Sequence, residues 1–133
     1  VGKLFDADVK PVTRDGKTAY YKIKNGGYVF NISGAGLWGE IKAVVGMNKD
    51  LKHFTGIDFI QQNETPGLGA RIAEPWFKKQ FKGKTGPMTM VPEKSPSNDT
   101  QFDAITGATI TSTAVQTMVN KILKDAPEIV KDK

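Results

Sequence analysis

The strongest constraint on the fold of this chain is a helical pattern near its C-terminus. Apolar residues there recur with the i, i+3, i+4, i+7, i+8 spacing of a helix that buries one face in a core. The residues of this stripe are Val115, Met118, Val119, Ile122 and Leu123. Thr113 and Gln116 fit a capping box at the start, and Pro127 is typical of the end. The pattern therefore predicts an amphipathic helix bounded by these residues.

Two glycine turn signals near the N-terminus predict antiparallel strands. Asp15-Gly16 and Asn25-Gly26-Gly27 separate runs rich in β-branched and aromatic residues, and both favour the positive φ angles of tight hairpins. Further strands are predicted at residues 41–45 and 54–60, and a short helix from Pro75, which suits the first helical position. With 133 residues, the chain is expected to be a single α+β domain over residues 1–133. That domain is mostly antiparallel sheet with a few helices, including the C-terminal amphipathic one.

The composition excludes several classes of site. The chain has no cysteine, so disulfides, thiolate metal ligands and cysteine nucleophiles are excluded. His53 is the single histidine, which excludes a multi-histidine metal site built from this chain alone. No stretch approaches the ~20 apolar residues that cross a bilayer. The net charge of +5 favours anionic partners, but no basic run is present, so no nucleic-acid partner is expected. No metal site is expected either.

The segment at residues 103–112, with the sequence DAITGATITS, places many hydroxyl groups just before the predicted helix. The free N–H groups of a helix start carry partial positive charge and bind phosphate well. Serine and threonine also concentrate at such positions because they cap those N–H groups. The hydroxyl-bearing residues at and just beyond this segment are Thr106, Thr109, Thr111, Ser112 and Thr113. They are more than capping requires, and the residues alone leave both capping and a phosphate site open.

This run also resembles the flavinylation motif Asp-x-x-(Ser/Thr)-Gly-Ala-(Ser/Thr), which it matches at Asp103, Thr106, Gly107, Ala108 and Thr109. A second block, residues 64–69 with the sequence ETPGLG, is similar to a signature of the same family. That family comprises FMN-binding subunits of two ion-translocating redox complexes. These are the G subunit of the Rnf electron-transport complex and the C subunit of the sodium-pumping NADH:quinone reductase. The resemblance extends from about Gly34 to Leu123.

The resemblance implies a covalent FMN, joined through its phosphate to the hydroxyl of Thr109. It also implies that Leu68 lies against the flavin ring and that Trp38 forms a wall of the ring's binding site. Without the resemblance, the loop at residues 64–69 is typical of an ordinary connection between strands, and Trp38 is typical of a core aromatic residue. The implied cofactor-binding residues beside the attachment point are Asp103, Thr106, Gly107, Ala108, Ile110 and Thr111. Those of the loop are Glu64, Thr65, Gly67, Leu68 and Gly69. Many relatives have histidine where this chain has Gln62.

A threonine hydroxyl is a weak nucleophile, and no histidine lies in the run to activate it. The resemblance implies instead a dedicated flavin transferase that uses FAD and a divalent metal to load FMN. Thr109 is then an attachment point, and no catalytic residue is expected in this chain.

The resemblance further implies an electron-transfer domain of an Rnf-type complex, which carries electrons between other subunits of that complex and is not a stand-alone enzyme. The expected location is the extracytoplasmic face of the cytoplasmic membrane, behind an N-terminal anchor that this sequence, beginning at Val1, does not include. Two alternatives remain open. One is a free-standing FMN-binding module that serves another extracytoplasmic reductase, and the other is a non-redox anion-binding domain.

Overall fold

Five consecutive strands form one antiparallel sheet, in the order β1-β2-β3-β4-β5. The computed structural model describes residues 9–14, 17–23, 26–93 and 98–131. The strands are β1 (Val9–Arg14), β2 (Lys17–Ile23), β3 (Tyr28–Ala35), β4 (Glu40–Met47), β5 (Phe54–Gln61), β6 (Thr89–Val91) and β7 (Gln101–Asp103). The helices are a 3-10 helix (Gly69–Ala73), α1 (Pro75–Lys79) and α2 (Thr109–Lys131). The predicted α+β class, with a mostly antiparallel sheet, is confirmed.

The central pair of the sheet is its most regular part. β3 and β4 pair without interruption from Tyr28 opposite Met47 to Ala35 opposite Glu40, whereas two irregularities interrupt the pairing of β4 with β5. The predicted turn at Asp15-Gly16, and Asn25 of the second predicted turn, lie outside the described residues. Strands nevertheless pair on both sides of each turn, as the hairpin signals predict.

The predicted apolar stripe of α2 packs on the sheet, chiefly against β3. Four of its members are buried, and Leu123 is partly buried against the same core. The close approach of helix and strand depends on Gly34. A Cβ at this position would lie 2.6 Å from Met118 Cγ, so a side chain here would displace the Met118 side chain from its place between helix and strand.

The end of α2 differs from the prediction. The helix continues through Pro127 to Lys131, so the predicted stop at Pro127 is wrong. Proline inside a helix costs about 3 kcal/mol because it removes a hydrogen bond and crowds the preceding turn. Burial of Ala126 and Val130 on either side of it offsets that cost, since both side chains belong to the main core.

The start of α2 also differs from the prediction. The helix begins at Thr109, so Thr113 and Gln116 lie inside it and do not form the predicted capping box. The Gln116 side-chain amide instead donates to Met88 O (3.0 Å). Asn120 binds the same residue twice, accepting from Met88 N (2.7 Å) and donating to Met88 O (3.0 Å). These polar side chains of α2 therefore fix the chain that leads into β6.

A second, small sheet leads into the hydroxyl-rich segment at residues 103–112, called the hydroxyl run below. β6 and β7 pair in parallel, an arrangement that the sequence did not predict. Phe102 of β7 is fully buried against Phe77 and Phe81, with ring centroids 6.0 and 5.2 Å away. The Gln80 amide clamps the backbone of Asp103, donating to its O (3.2 Å) and accepting from its N (2.6 Å). Residue 103, where the run begins, is therefore fixed to the core.

Candidate functional site

A tight turn at residues 105–108 precedes α2. Ala108 N donates to Ile105 O (3.0 Å), and Gly107 has a φ of +77°, which favours glycine because it has no Cβ. The buried Ser112 hydroxyl accepts from Ile105 N (3.0 Å) and donates to Ala108 O (2.9 Å). These contacts tie the turn to the first turn of α2. They leave the side chain of Thr109 exposed as the first residue of the helix.

An ion pair lies beside this turn. Arg71 binds Glu93 through two hydrogen bonds of 3.1 Å each, and Thr106 N donates to Glu93 Oε1 (2.9 Å). The hydrogen bonds from Arg71, followed by that from Thr106, lower the pKa of Glu93 to about 2. Glu93 is therefore ionised at neutral pH, and it connects the 3-10 helix to the turn that precedes Thr109.

A buried carboxylate connects the two predicted motifs. Glu64 Oε1 accepts from Thr111 Oγ1 (2.6 Å) and from Leu37 N (2.8 Å), and Oε2 accepts from Trp38 N (2.9 Å). Burial raises the pKa of Glu64, but the hydrogen bonds from Thr111, Trp38 and Leu37 together outweigh it, so the pKa is lowered. The carboxylate is therefore held ionised although only 4% of the residue is exposed.

Two glycines give this carboxylate its space. A Cβ at Gly36 would lie 2.5 Å from Glu64 Oε1, and a Cβ at Gly69 would lie 2.6 Å from Thr111 Oγ1. Real Cβ atoms essentially never approach so closely, so an alanine at Gly36 would displace the Glu64 carboxylate. An alanine at Gly69 would also lie 2.7 Å from Glu64 Cβ and would force the loop away from α2. The conformation of the loop at residues 64–69 thus follows from close packing on α2.

A cleft of about 330 Å³ opens between the two motifs and the loop after β3. The residues that line it are Leu37, Trp38, Thr65, Leu68, Gly69, Gly107, Ala108, Thr109, Ile110 and Thr111. Four of these are large apolar side chains that are nonetheless exposed, namely Leu37 (51%), Trp38 (64%), Leu68 (44%) and Ile110 (57%). Exposed apolar side chains grouped around one cleft indicate a ligand with an apolar surface.

Trp38 is oriented by a second contact at this cleft. Its indole Nε1 donates to Thr65 Oγ1 (3.0 Å), while its backbone N is held by Glu64. A side chain with this much exposed apolar surface gains little from burial in the domain itself. The two hydrogen bonds instead fix the indole at the rim of the cleft.

A sequence profile of the FMN-binding domain family matches residues 36–124, a span that contains every residue lining the cleft. The chain belongs to this FMN-binding family. It is 37% identical over 108 residues to the G subunit of the Na(+)-translocating ferredoxin:NAD(+) oxidoreductase complex of Acetobacterium woodii, covering 80% of this chain and 48% of that protein. It is 39% identical over 123 residues to the G subunit of the proton-translocating complex of Clostridium ljungdahlii, covering 87% and 62%.

The fold agrees with that family. The crystal structure of the C subunit of the Na(+)-translocating NADH-quinone reductase of Parabacteroides distasonis superimposes with a TM-score of 0.70 at 32% identity. The superposition covers 86% of this chain and 62% of the other. This chain spans about half the length of the curated relatives that it matches. None of the helices within the described residues is both long and apolar enough to span a membrane.

The structure of this FMN-binding domain brings most of the predicted site residues to one cleft. Those that line it are Trp38, Thr65, Leu68, Gly69, Gly107, Ala108, Thr109, Ile110 and Thr111. The other four, Asp103, Thr106, Glu64 and Gly67, do not line it. Glu64, one of the implied cofactor-binding residues, lies behind the cleft and holds two of its walls together.

Several residues of the site were not predicted from the sequence. Leu37 lines the cleft but was not among the predicted site residues. Arg71, Glu93 and Gln80 support the hydroxyl run from other parts of the chain. Their contacts join residues that are far apart in the sequence, and single-sequence patterns contain no signal for such pairs. Within the described residues, no group of three or more His, Cys, Asp or Glu side chains could hold a metal ion.

Proposed function

We propose that this domain carries FMN as a phosphoester on Thr109 Oγ1 and transfers electrons through it. The observation that carries the proposal is the position of Thr109. Its side chain is exposed at the first residue of a 23-residue helix and borders a cleft with exposed apolar walls. One residue thus adjoins both a place suited to phosphate and a place suited to a flat apolar ring.

The helix start fits the phosphate. The first N–H groups of an α-helix have no acceptor within the helix, and the helix dipole adds partial positive charge there. A phosphate ester on Thr109 would lie beside those N–H groups, which bind anions through the same two effects. The preceding turn leaves this end of the helix accessible, since Thr106 and Gly107 are also exposed.

The cleft fits the ring. Its volume of about 330 Å³ falls at the lower end of the range for small-molecule sites, which are mostly apolar with a few polar groups. Gly69 and Gly107 contribute backbone to the lining, where a ring can approach closely. Bound FMN supplies one- and two-electron redox chemistry, while the protein supplies its position and its electrostatic surroundings.

A second groove, of about 400 Å³, lies on the other side of Thr109. It shares Thr109 and Ile110 with the cleft and continues along α2 past Thr117 to Lys121. We favour the first cleft for the ring because Leu37, Trp38 and Leu68 line it and do not line the second groove. The two positions are distinguished by the Trp38 and Thr117 variants described in the Discussion.

The relatives are named as subunits of ion-translocating redox complexes. We therefore propose that this domain passes electrons between other subunits of a complex of the Rnf type, on the extracytoplasmic side of the membrane. Membrane association through an N-terminal anchor, which the sequence resemblance implies, is part of this proposal. A flavin transferase would supply FMN from FAD during maturation.

Intact mass and peptide mapping after co-expression with a flavin transferase test the attachment. We expect one FMN on the peptide that contains Thr109, and fluorescence that survives denaturing electrophoresis. Thr109→Ala should abolish the label without loss of fold because the hydroxyl is exposed. Thr113→Ala, which removes another exposed hydroxyl on the same helix, should keep the label. An unmodified wild-type Thr109, or a label that survives Thr109→Ala, would refute the assignment.

A further inference from the structure

The Glu64 side chain connects its own loop to two other segments that are distant in the sequence. Its carboxylate binds the backbone of the loop after β3 at Leu37 and Trp38, and the side chain of Thr111 in the first turn of α2. The partners are 27, 26 and 47 positions away. The side chain itself does not line the cleft, although all three of its partners do.

The chemistry of the three donors requires a carboxylate. Leu37 and Trp38 present backbone N–H groups, which can donate but cannot accept. A glutamine has one oxygen and one NH2 group, so in either orientation its NH2 would face at least one of these N–H groups. Only the hydroxyl of Thr111 could reverse its role. A neutral side chain of the same shape would therefore leave a backbone donor unsatisfied.

We propose that Glu64 is a positioning residue, which sets the spacing and the charge of the cleft without touching the ring. This inference rests on the proposed function in that the ring is the group being positioned. By holding Leu37 and Trp38 on one side and Thr111 on the other, Glu64 fixes the distance between opposite walls. Its buried negative charge behind the wall disfavours the negative charge that each electron adds to the ring, because Coulomb interactions are strong where water is excluded.

The positioning role can be tested on the domain without flavin. NMR is used to measure the amide hydrogen exchange rates of Leu37 and Trp38 in the wild type and in Glu64→Gln. We expect faster exchange at both amides in the variant. Glu128→Gln, which removes a carboxylate from an exposed position on α2, should leave both amides unchanged. Unchanged exchange in a folded Glu64→Gln domain would overturn the proposal.

The role in setting charge is tested on the labelled domain. Glu64→Gln should still accept FMN on Thr109, because that hydroxyl is not among the contacts of Glu64. We expect its midpoint potential to rise and its visible circular dichroism to change, while Glu128→Gln retains the wild-type values. A labelled and folded Glu64→Gln domain with wild-type potential and dichroism would overturn this part.

If Glu64→Gln does not fold, the positioning role of Glu64 is tested with Thr111→Val. This variant keeps the carboxylate and removes one of its three donors. We expect faster exchange at Leu37 and Trp38, with Thr117→Val, an exposed threonine on the same helix, as the unchanged control. Unaltered exchange in Thr111→Val would overturn the proposal. A wild type that cannot be labelled with FMN would refute the proposed function. The exchange measurement needs no flavin, so it would still test the positioning role of Glu64.

Discussion

Arg71 and Glu93 are joined by two parallel hydrogen bonds, Nη1 to Oε1 and Nη2 to Oε2, each 3.1 Å long. A pair of parallel bonds between charged groups is stronger than neutral hydrogen bonds and fixes the relative geometry of both partners. Glu93 also accepts from Thr106 N. The ion pair therefore fixes one side of the turn that presents Thr109.

The first prediction concerns the stability of the fold at low pH. Hydrogen bonds from Arg71 and Thr106 lower the pKa of Glu93 from 4.5 to about 2 in the folded state, so Glu93 stabilises the fold at pH values above about 4.5. That contribution is lost as the pH falls from about 4.5 to about 2. Glu93→Gln should unfold at a lower temperature at pH 7 and show a shallower decline of stability in acid. Some decline remains because the pKa of Glu64 is also lowered.

Thermal unfolding between pH 2 and pH 7 measures this effect. Glu128→Gln serves as the control, since it removes an exposed carboxylate near the end of α2. Identical acid profiles for the wild type and Glu93→Gln would contradict the prediction.

The second prediction compares two glycines. Gly107 and Gly83 have nearly the same φ, +77° and +80°, and alanine pays a conformational cost of about 1 kcal/mol or more in this region. A Cβ at Gly107 would also lie 3.2 Å from Leu68 Cδ2, whereas a Cβ at Gly83 meets no atom within 4 Å. Gly107→Ala should therefore destabilise the domain more than Gly83→Ala.

Chemical denaturation gives the free energy of unfolding of both variants. The difference between them measures the crowding at Leu68, because the backbone cost is common to both. We also expect slower flavin transfer to Gly107→Ala only. Equal transfer rates in the two variants would show that the shape of this turn does not matter for loading.

The third prediction concerns Ser112. Its fully buried hydroxyl is the acceptor for Ile105 N, so Ser112→Ala leaves a backbone donor without its partner and should cost about 1–3 kcal/mol. The neighbouring Thr113 is exposed, and Thr113→Ala should change the free energy of unfolding by less than about 0.5 kcal/mol. Urea denaturation of the two variants checks this contrast, and a Ser112→Ala domain as stable as Thr113→Ala would contradict it.

The fourth prediction locates the ring. Trp38 is 64% exposed, so Trp38→Ala should change stability by about 0.5 kcal/mol or less. In the FMN-labelled domain, Trp38→Ala should increase the quenching of flavin fluorescence by iodide, because the substitution removes a wall of the cleft. Thr117→Ala, in the groove on the other side of Thr109, should not. Greater quenching in Thr117→Ala than in Trp38→Ala would place the ring in that second groove.

Local patterns predicted the parts of the fold that depend on local interactions. The apolar stripe beginning at Val115 follows from helical spacing alone, and the meander follows from alternation and turn signals. The start of α2 was missed because Thr109 and Ile110 are exposed, so the apolar period becomes visible only later in the helix. Strand β7 was not predicted, because three residues are too few to carry a recognisable period.

The sequence motifs also anticipated which residues lie together around the candidate cleft. The two motif blocks were recognised by their sequence, and the structure places most of their residues around one cleft. Which side chains would support the cleft was not predictable, because each support depends on long-range contacts. Glu64 illustrates the point. Its place in the loop motif suggested a ligand contact, but the fold surrounds its carboxylate with donors from distant segments.

Thr109 begins a helix whose buried side chains run along its length to Val130. If FMN is attached to Thr109 as we propose, the attachment point is part of this packed helix and does not lie on a loop that could move independently of the core. The orientation of the whole domain would then determine which partner the proposed flavin faces. Travel between a donor and an acceptor that are far apart would then require rotation of the entire domain, and the hinge for that rotation would have to lie outside the folded unit.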